Sequence, residues 1–452
     1  MNKTVQLKYE VVVIGGGPGG LPAAIAAARM GARVILVERN AFLGGTAASG
    51  LGILGYIDRQ GNKALGGIAQ EFIDRLTEIG GSTGHYRCPV HNSITPISPD
   101  LFKIVAVEMC EQAGVDILFC NELLDVQVDN GKVSRIAVFG KCTRTEIAAD
   151  VFIDGTGDGD LAYMAGANYV NGQDETGIMQ PGTLMFTVSD FDLERLFSYV
   201  QEHPEDLGIK EEYADGYNID FFRNTKGHCF IGLQNLISQA KKNDEFDVPR
   251  NQFIYITTAS DKLLAVNTSR LININASDPF ELSGGLVTGY KQVLQIIKFM
   301  NKYIPGFENA RLSQISPSLG IRETRHFEGI DHLKVEEIYA KKTKLNAIAL
   351  CAYNIDIHSG TSEIIDLTLV EKAFGIPYGC LVPKHIDGLL LSGRTISVDS
   401  KVYAATRVMG PCMAVGEAAG IAAALSIRTN TPVAKLAIAE IKEILIRNGA
   451  IL

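Results

Sequence analysis

The chain has 452 residues, of which 46% are hydrophobic and 21% charged. That is the balance of a globular protein and excludes a disordered one, and the length exceeds one ordinary core, so two domains are expected. A net charge of −9 with no block of Lys or Arg excludes a nucleic-acid footprint.

No apolar run of about 18 residues or more is seen along the chain, so no membrane span is expected. Met1 to Glu10 has no apolar stretch ending in a small-residue cleavage site, and a cytoplasmic location is the expectation. Eight cysteines (Cys88, Cys110, Cys120, Cys142, Cys229, Cys351, Cys380 and Cys412) are scattered without CxxC spacing. That pattern argues against zinc, iron–sulfur ligation and a CxxC redox dithiol, so no metal is expected.

Val11 to Ile14 reads as a buried parallel strand. It runs into Gly15-Gly16-Gly17-Pro18-Gly19-Gly20, which fits G-x-G-x-x-G at Gly15, Gly17 and Gly20. The alanine-rich Leu21 to Met30 reads as a helix, and Arg33 to Glu38 as a second strand. Gly15 permits the tight turn, Gly17 lets backbone approach a pyrophosphate, and Gly20 lets the helix pack closely on the strand. The helix N-terminus offers free N–H groups to phosphate. Glu38, 18 residues after Gly20, is placed to accept the hydroxyls of an adenosine ribose.

After this βαβ unit comes a glycine-rich loop, Phe42 to Gly50, rather than another α/β repeat. Such a loop suits an extended dinucleotide lying on backbone. Ile68, Phe72 and Leu76 mark an amphipathic helix over Gly66 to Gly80, and Ser98-Pro99 caps another through about Gly114. Strands are expected at Val115 to Cys120, Leu123 to Val128, Val133 to Phe139 and Glu146 to Ile153, with Asp129-Asn130-Gly131 as a hairpin turn. They read as an antiparallel meander interrupting the parallel sheet. The meander ends in Ile153-Asp154-Gly155-Thr156-Gly157-Asp158, which resembles the second dinucleotide motif of two-dinucleotide-binding-domain flavoproteins. Far downstream, Gly388 to Arg394 reads as a strand ending in Gly-Arg. Val408 to Ala414 opens a small-residue helix whose N-terminus suits a flavin pyrimidine edge.

Taken together, VVVIGGGPGGLPAAIAAARMGARVILVE, FLGGTAASG, FIDGTGDGDLAYMAGA, NTSR, GFENARLSQISPSLGIRETR, DIHSG, IPYGCLVPK and LLLSGRTISVDSKVYAATRVMGPCMAVGEAAG resemble the FAD-dependent oxidoreductase family. The resemblance is to its glutathione-reductase-like flavoproteins, a group that includes flavin subunits of heterodisulfide reductases. It implies FAD and an α/β fold: a Rossmann-like FAD-binding domain, parallel sheet plus antiparallel meander, with an inserted α+β substrate domain. The expected limits are 1–171 and 377–452 for the two parts of the FAD domain and 172–376 for the insert. Glu38, Thr46, Thr156, Gly157, Asp158 and Arg394 are implied to touch FAD, along with Gly15, Gly17, Pro18, Gly19 and Gly20. Arg39, Gly45, Leu124, Cys412 and Met413 complete the implied set. The cysteine clusters of heterodisulfide reductases are missing. The histidine that carries covalent FAD in succinate dehydrogenases has no counterpart after Gly45, so non-covalent FAD is expected. No second GxGxxG follows a strand, which argues against a dedicated NAD(P)H domain.

Within the insert, Tyr199 to Asn224 reads as an exposed charged and aromatic cover. Phe253 to Thr257 and Leu263 to Val266 read as strands. Pro279 to Lys302 reads as a helix with Leu286, Tyr290, Val293, Ile297 and Met300 inward. Candidate substrate-side residues are Asn267 and Arg270 in NTSR, the cluster Arg322, Glu323, Arg325 and His326, the pair Asp356 and His358, which share a strand face, and Arg407. His358 is the first choice for acid–base work, with His326 and His85 behind it. Arg270, Arg325 and Arg407 can clamp a carboxylate or polarised carbonyl. The expected activity is hydride transfer between flavin and a small hydroxy, keto or unsaturated metabolite. The alternative is a flavin-bearing electron-transfer subunit serving a partner redox protein. A homo-oligomer is left open.

Overall fold

The computed structural model describes residues 3–173, 176–210, 213–340 and 346–452. A five-stranded parallel sheet carries the first half of the expected architecture. Its order is Leu389–Leu391, Val151–Asp154, Val11–Ile14, Val34–Glu38, Asp116–Phe119. Val11 pairs with Val34 on one side and Val151 on the other, so segments more than a hundred residues apart lie side by side. The central strands are buried throughout, which explains their continuous apolar runs.

Val11–Ile14 leads through Gly15, at φ +93°, into the helix Gly20–Arg29. Only glycine takes that turn without strain. The helix Met409–Thr429 lies against Gly20–Arg29. A Cβ on Gly416 would sit 2.1 Å from the Gly19 carbonyl oxygen, and one on Gly420 2.1 Å from that of Ala23. The small residues are thus what lets the two helices touch. Met409–Thr429 is long and apolar enough to cross a membrane, contrary to the expectation that no such stretch exists, but 89% of its most apolar window is buried inside the protein.

The antiparallel meander forms, with two differences. Asp116–Phe119 belongs to the parallel sheet, beside Val34–Glu38. The stretch expected as one strand over 146–153 is two: Thr143–Ala148 in the meander and Val151–Asp154 in the parallel sheet. Lys3–Lys8 adds an unforeseen edge strand, parallel to Thr143–Ala148. The hairpin turn at Asn130 (φ +53°) and Gly131 (φ +79°) joins Glu122–Asp129 to Lys132–Gly140 as expected.

A second, antiparallel sheet runs Cys229–Gly232, Phe253–Thr257, Leu264–Val266, Phe186–Ser189, Arg311–Ile315. The long helix Pro279–Tyr303 packs against it through Gly285, Gly289, Val293, Ile296, Phe299 and Met300. Tyr290 is 53% exposed, so the inward face is rotated from the expected one; Gly289 lets the helix reach Leu184. Tyr217 and Phe222, expected in an exposed cover, are buried in this second core. Side-chain packing also crosses the 172–376 limits: Phe327, Ile348 and Ile355 join the first core, and Cys88, Val90 and Ile94 join the second.

Candidate functional site

Three backbone segments meet where the parallel strands end. A Cβ on Gly15 would lie 2.4 Å from the Gly155 oxygen, one on Gly19 2.7 Å from the Gly393 nitrogen, and one on Gly20 1.8 Å from the Gly15 oxygen. Gly17 differs: the nearest atom to a Cβ there is the Gly45 Cα, 3.9 Å away, and Gly17 faces a cavity. That cavity, of about 790 Å³, begins at this glycine cradle and runs between the two sheets to Asp356, His358 and Arg407.

At the cradle, Glu38 is buried at the end of its strand. One carboxylate oxygen accepts from the Gly16 N–H at 2.7 Å, and the other from the Asn40 N–H at 2.8 Å and side-chain amide at 2.7 Å. These bonds hold the glycine turn against the second strand and leave lone pairs for ribose hydroxyls. Asp154 organises the facing turn, accepting from the Thr156 N–H (3.0 Å), the Thr156 hydroxyl (2.7 Å) and the Ala162 N–H (2.8 Å). Burial pushes its carboxyl up to about 6. Arg394 donates to Asp158 and to the Ile321 carbonyl, each at 2.8 Å, so the C-terminal strand end is tied to the 156–158 turn. The buried Ser392 hydroxyl beside it has no partner among the described residues.

The cavity wall contains Gly15, Gly17, Pro18, Gly19, Glu38, Arg39, Gly45, Thr46, Thr156, Gly157, Asp158, Arg394 and Cys412 of the expected cofactor set. Three expected members lie off it. Gly20 acts through helix–strand packing. Met413 is buried in the helix, one position beyond Cys412. Leu124 is 47% exposed, because strand alternation turns Leu123 inward and Leu124 out. Asn40 and Leu123 were missed.

At the other end, Asn267, His358 and Arg407 face the cavity, whereas Arg270 and Arg325 do not. Arg325 donates to the Asp158 carbonyl (2.9 Å) and Asp160 carboxylate (2.8 Å), and lies over the Tyr163 ring, so it braces the 158–163 turn rather than a substrate. Arg270 is buried and donates to the Ser359 and Ser362 carbonyls, each at 2.8 Å, shaping the loop after His358. Glu323 pairs with His326 at 3.0 Å, and that ring packs on Tyr403. His85 is bonded to Thr95 and Gln70. Neither histidine is on the cavity wall.

His358 sits 3.2 Å from the Asp356 carboxylate through Nε2, and 3.5 Å from the Arg270 guanidinium through Nδ1. Both ring nitrogens are therefore engaged, and burial pushes the ring down to about 3, so it is neutral. The engagement of both nitrogens, not the lowered pKa, argues against the expected acid–base role. His91, which no sequence pattern singled out, also faces the cavity and packs in parallel with Tyr353. Its Nδ1 meets Cys88, and its Nε2 has no partner among the described residues. Burial pushes it down to about 4. Asp356 accepts from Tyr353 (3.1 Å), and Arg407 donates to its carbonyl (2.9 Å) and carboxylate (3.4 Å). Burial opposes its charge, yet the neighbouring His358 and Arg407 hold it well below the usual carboxylate range.

Residues 10–445 match the family model described as FAD dependent oxidoreductase. Curated relatives match over shorter stretches. Thiamine thiazole synthase of Aeropyrum pernix is 35% identical over 135 residues, covering 29% of this chain and 44% of that protein. Mitochondrial dihydrolipoyl dehydrogenase of Caenorhabditis elegans is 62% identical over 37 residues, 8% of each chain. The chain thus aligns with less than half the length of these relatives. A solved geranylgeranyl bacteriochlorophyll reductase-like protein of Thermoplasma acidophilum superposes with a TM-score of 0.48 at 14% identity, covering 98% of this chain and 84% of that one.

Proposed function

The chain belongs to the FAD-dependent oxidoreductase family, and from that premise we propose that it transfers a hydride between FAD and a small polar metabolite carrying a hydroxyl, ketone or activated double bond. The observation that carries this reading is the single cavity joining the glycine cradle to the Asp356 cluster. Its cradle end fits a non-covalently held dinucleotide. Gly17 leaves open backbone where a side chain would enter the cavity, Glu38 stands on the cavity wall at the end of its strand, and the buried Ser392 hydroxyl has no partner among the described residues.

Bound FAD supplies the hydride-accepting or hydride-donating centre. The chain's own groups do the rest. Arg407, anchored on Asp356, points a cation at the cavity from the residue preceding the N-cap of Met409–Thr429. Asn267 presents an unpartnered buried carbonyl oxygen that can orient a substrate hydroxyl or amide. His91 is the neutral ring with a free nitrogen at this wall and is the group placed to hold or release the substrate proton. His358 and Arg270 position the loop and Asp356. A cytoplasmic location belongs to the same reading.

The test is the visible spectrum of the purified protein, followed by anaerobic reduction and reoxidation with a panel of ketones and unsaturated acids. Flavin bands with rapid reoxidation by a panel member support the reading. Reoxidation only by a co-purifying protein would assign the chain as an electron-transfer subunit instead.

A further inference from the structure

Around Asp356 the charges do not balance. Arg250, Arg270, Arg322 and Arg407 are close enough that each of the first and third is disfavoured by its fellow arginines, and burial presses in the same direction. Arg250 is pushed down to about 9 and Arg322 well below its ordinary value. A guanidinium keeps its proton in proteins, so this marks four crowded cations rather than neutral groups. Among the acids on the cavity wall, Asp158 pairs with Arg394, Asp160 with Arg325, and Glu363 with Lys241. Asp356 and, for Arg250 and Arg270, Glu363 act on these four guanidiniums from nearby, but among the described residues Asp356 touches only Arg407 directly.

Hydrogen bonding is incomplete in the same place. Arg322 faces the cavity with one terminal nitrogen donating to the Pro181 carbonyl (2.6 Å) and Thr183 hydroxyl (2.8 Å), both neutral, and it has no carboxylate partner among the described residues. Among the described residues, the buried Nε atoms of Arg250, Arg270 and Arg407 lack partners, as does Asn267 Oδ1. Buried charge without a counterion is destabilising, and an unpaired guanidinium fork matches a carboxylate in shape. His91 and His358 are neutral and do not compensate or add charge.

From this arrangement we propose that the substrate is an organic acid whose carboxylate is held by Arg322 and Arg407 at the end of the cavity away from the glycine cradle. The proposal rests on the hydride-transfer reading and narrows its substrate class. Arg322 is thereby a substrate-binding residue, and Asp356 a positioning residue that aims Arg407. Guanidinium forks pair with carboxylates and phosphates alike, so the phosphate arm of the titration separates the two.

The test titrates the FAD-loaded protein, at constant ionic strength, with acetate, succinate and citrate, with neutral succinamide, and with inorganic phosphate. Flavin absorbance and melting temperature are recorded. At least one carboxylate should shift both saturably, while succinamide should not. Arg322→Gln should weaken that carboxylate roughly 10- to 100-fold, the loss expected for a charge-assisted pair, with FAD affinity unchanged. Arg322→Lys, which keeps the charge but not the fork, should fall between. Should Arg322→Gln fold poorly, Arg322→Lys together with the carboxylate–amide comparison on the unaltered protein carries the test. Equal response to succinamide, response to phosphate alone, or no response to any carboxylate would overturn the proposal while leaving flavin binding intact. Loss of flavin bands themselves would instead strike the hydride-transfer reading.

Discussion

Two aspartates, one at each end of the cavity, are driven in opposite directions. Asp154, beside the glycine cradle, accepts hydrogen bonds but meets no cation among the described residues, and burial lifts it to about 6. Asp356, at the far end, keeps 14% of its side chain exposed and is held well down by the His358 hydrogen bond and the Arg407 guanidinium. The cradle end is built from backbone geometry with its polar groups nearly all satisfied. The far end concentrates four guanidiniums and leaves buried donors and an acceptor unpaired. One end is a finished mould; the other is electrostatically incomplete without a ligand.

The largest expected effect separates shape from packing at the cradle. Gly20→Ala drives a Cβ into the Gly15 carbonyl and should destabilise the FAD-free protein by on the order of 3 kcal/mol or more. Gly17→Ala meets only open cavity, so stability should stay within about 0.5 kcal/mol. FAD affinity should nevertheless fall roughly 10- to 100-fold. Urea unfolding and a flavin-binding titration check both, and equal stability losses for the two variants would break the contrast.

Next comes the far end. Asp356→Ala leaves Arg407 without its carboxylate and should cost roughly 3–5 kcal/mol, the range for breaking a buried ion pair. Chemical denaturation measures it, and a loss under about 1 kcal/mol would show that the arginines are not electrostatically crowded.

A smaller effect is pH-dependent. Asp154 has a raised folded-state pKa, so between pH 4 and 6 the folded protein binds more protons than the unfolded chain. Its contribution is full below pH 4 and is lost as pH rises through 6. Asp154→Asn lacks this slope. The stability difference between the unaltered protein and the variant should therefore shrink by roughly 3 kcal/mol from pH 4 to pH 7. Asp356 has the opposite sign, and its contribution should survive across this window. The smallest expected change is Leu124→Ser, which should leave stability within about 0.5 kcal/mol and FAD affinity unaltered. Leu123→Ser should weaken FAD.

Legibility in the sequence followed the same division. Val11 to Glu38 could be read directly because turn, helix start and strand are specified by neighbours in the chain. The Ser98 cap and the Asp129-Asn130-Gly131 turn were equally local. Lys3–Lys8 went unseen because it is a half-polar edge strand whose partner lies about 140 residues away. Leu124 and Leu123 could not be told apart by sequence, because alternation alone does not say which face is inward, and the pairing register shifts at that point. Among the arginines, composition could not separate Arg325, spent on Asp160, from Arg322, which has no acid of its own among the described residues. His91 carried no pattern at all.

By itself, then, the order of residues determined the dinucleotide turn, the alternation of elements and the small-residue helices, since each depends on dihedral preference and side-chain volume over a few positions. Only the tertiary structure decided which arginines are neutralised, that both His358 nitrogens are engaged, and that Arg322 faces the cavity. Charge pairing and desolvation depend on distances between residues remote in sequence, and those distances exist only once the two sheets have closed around the cavity.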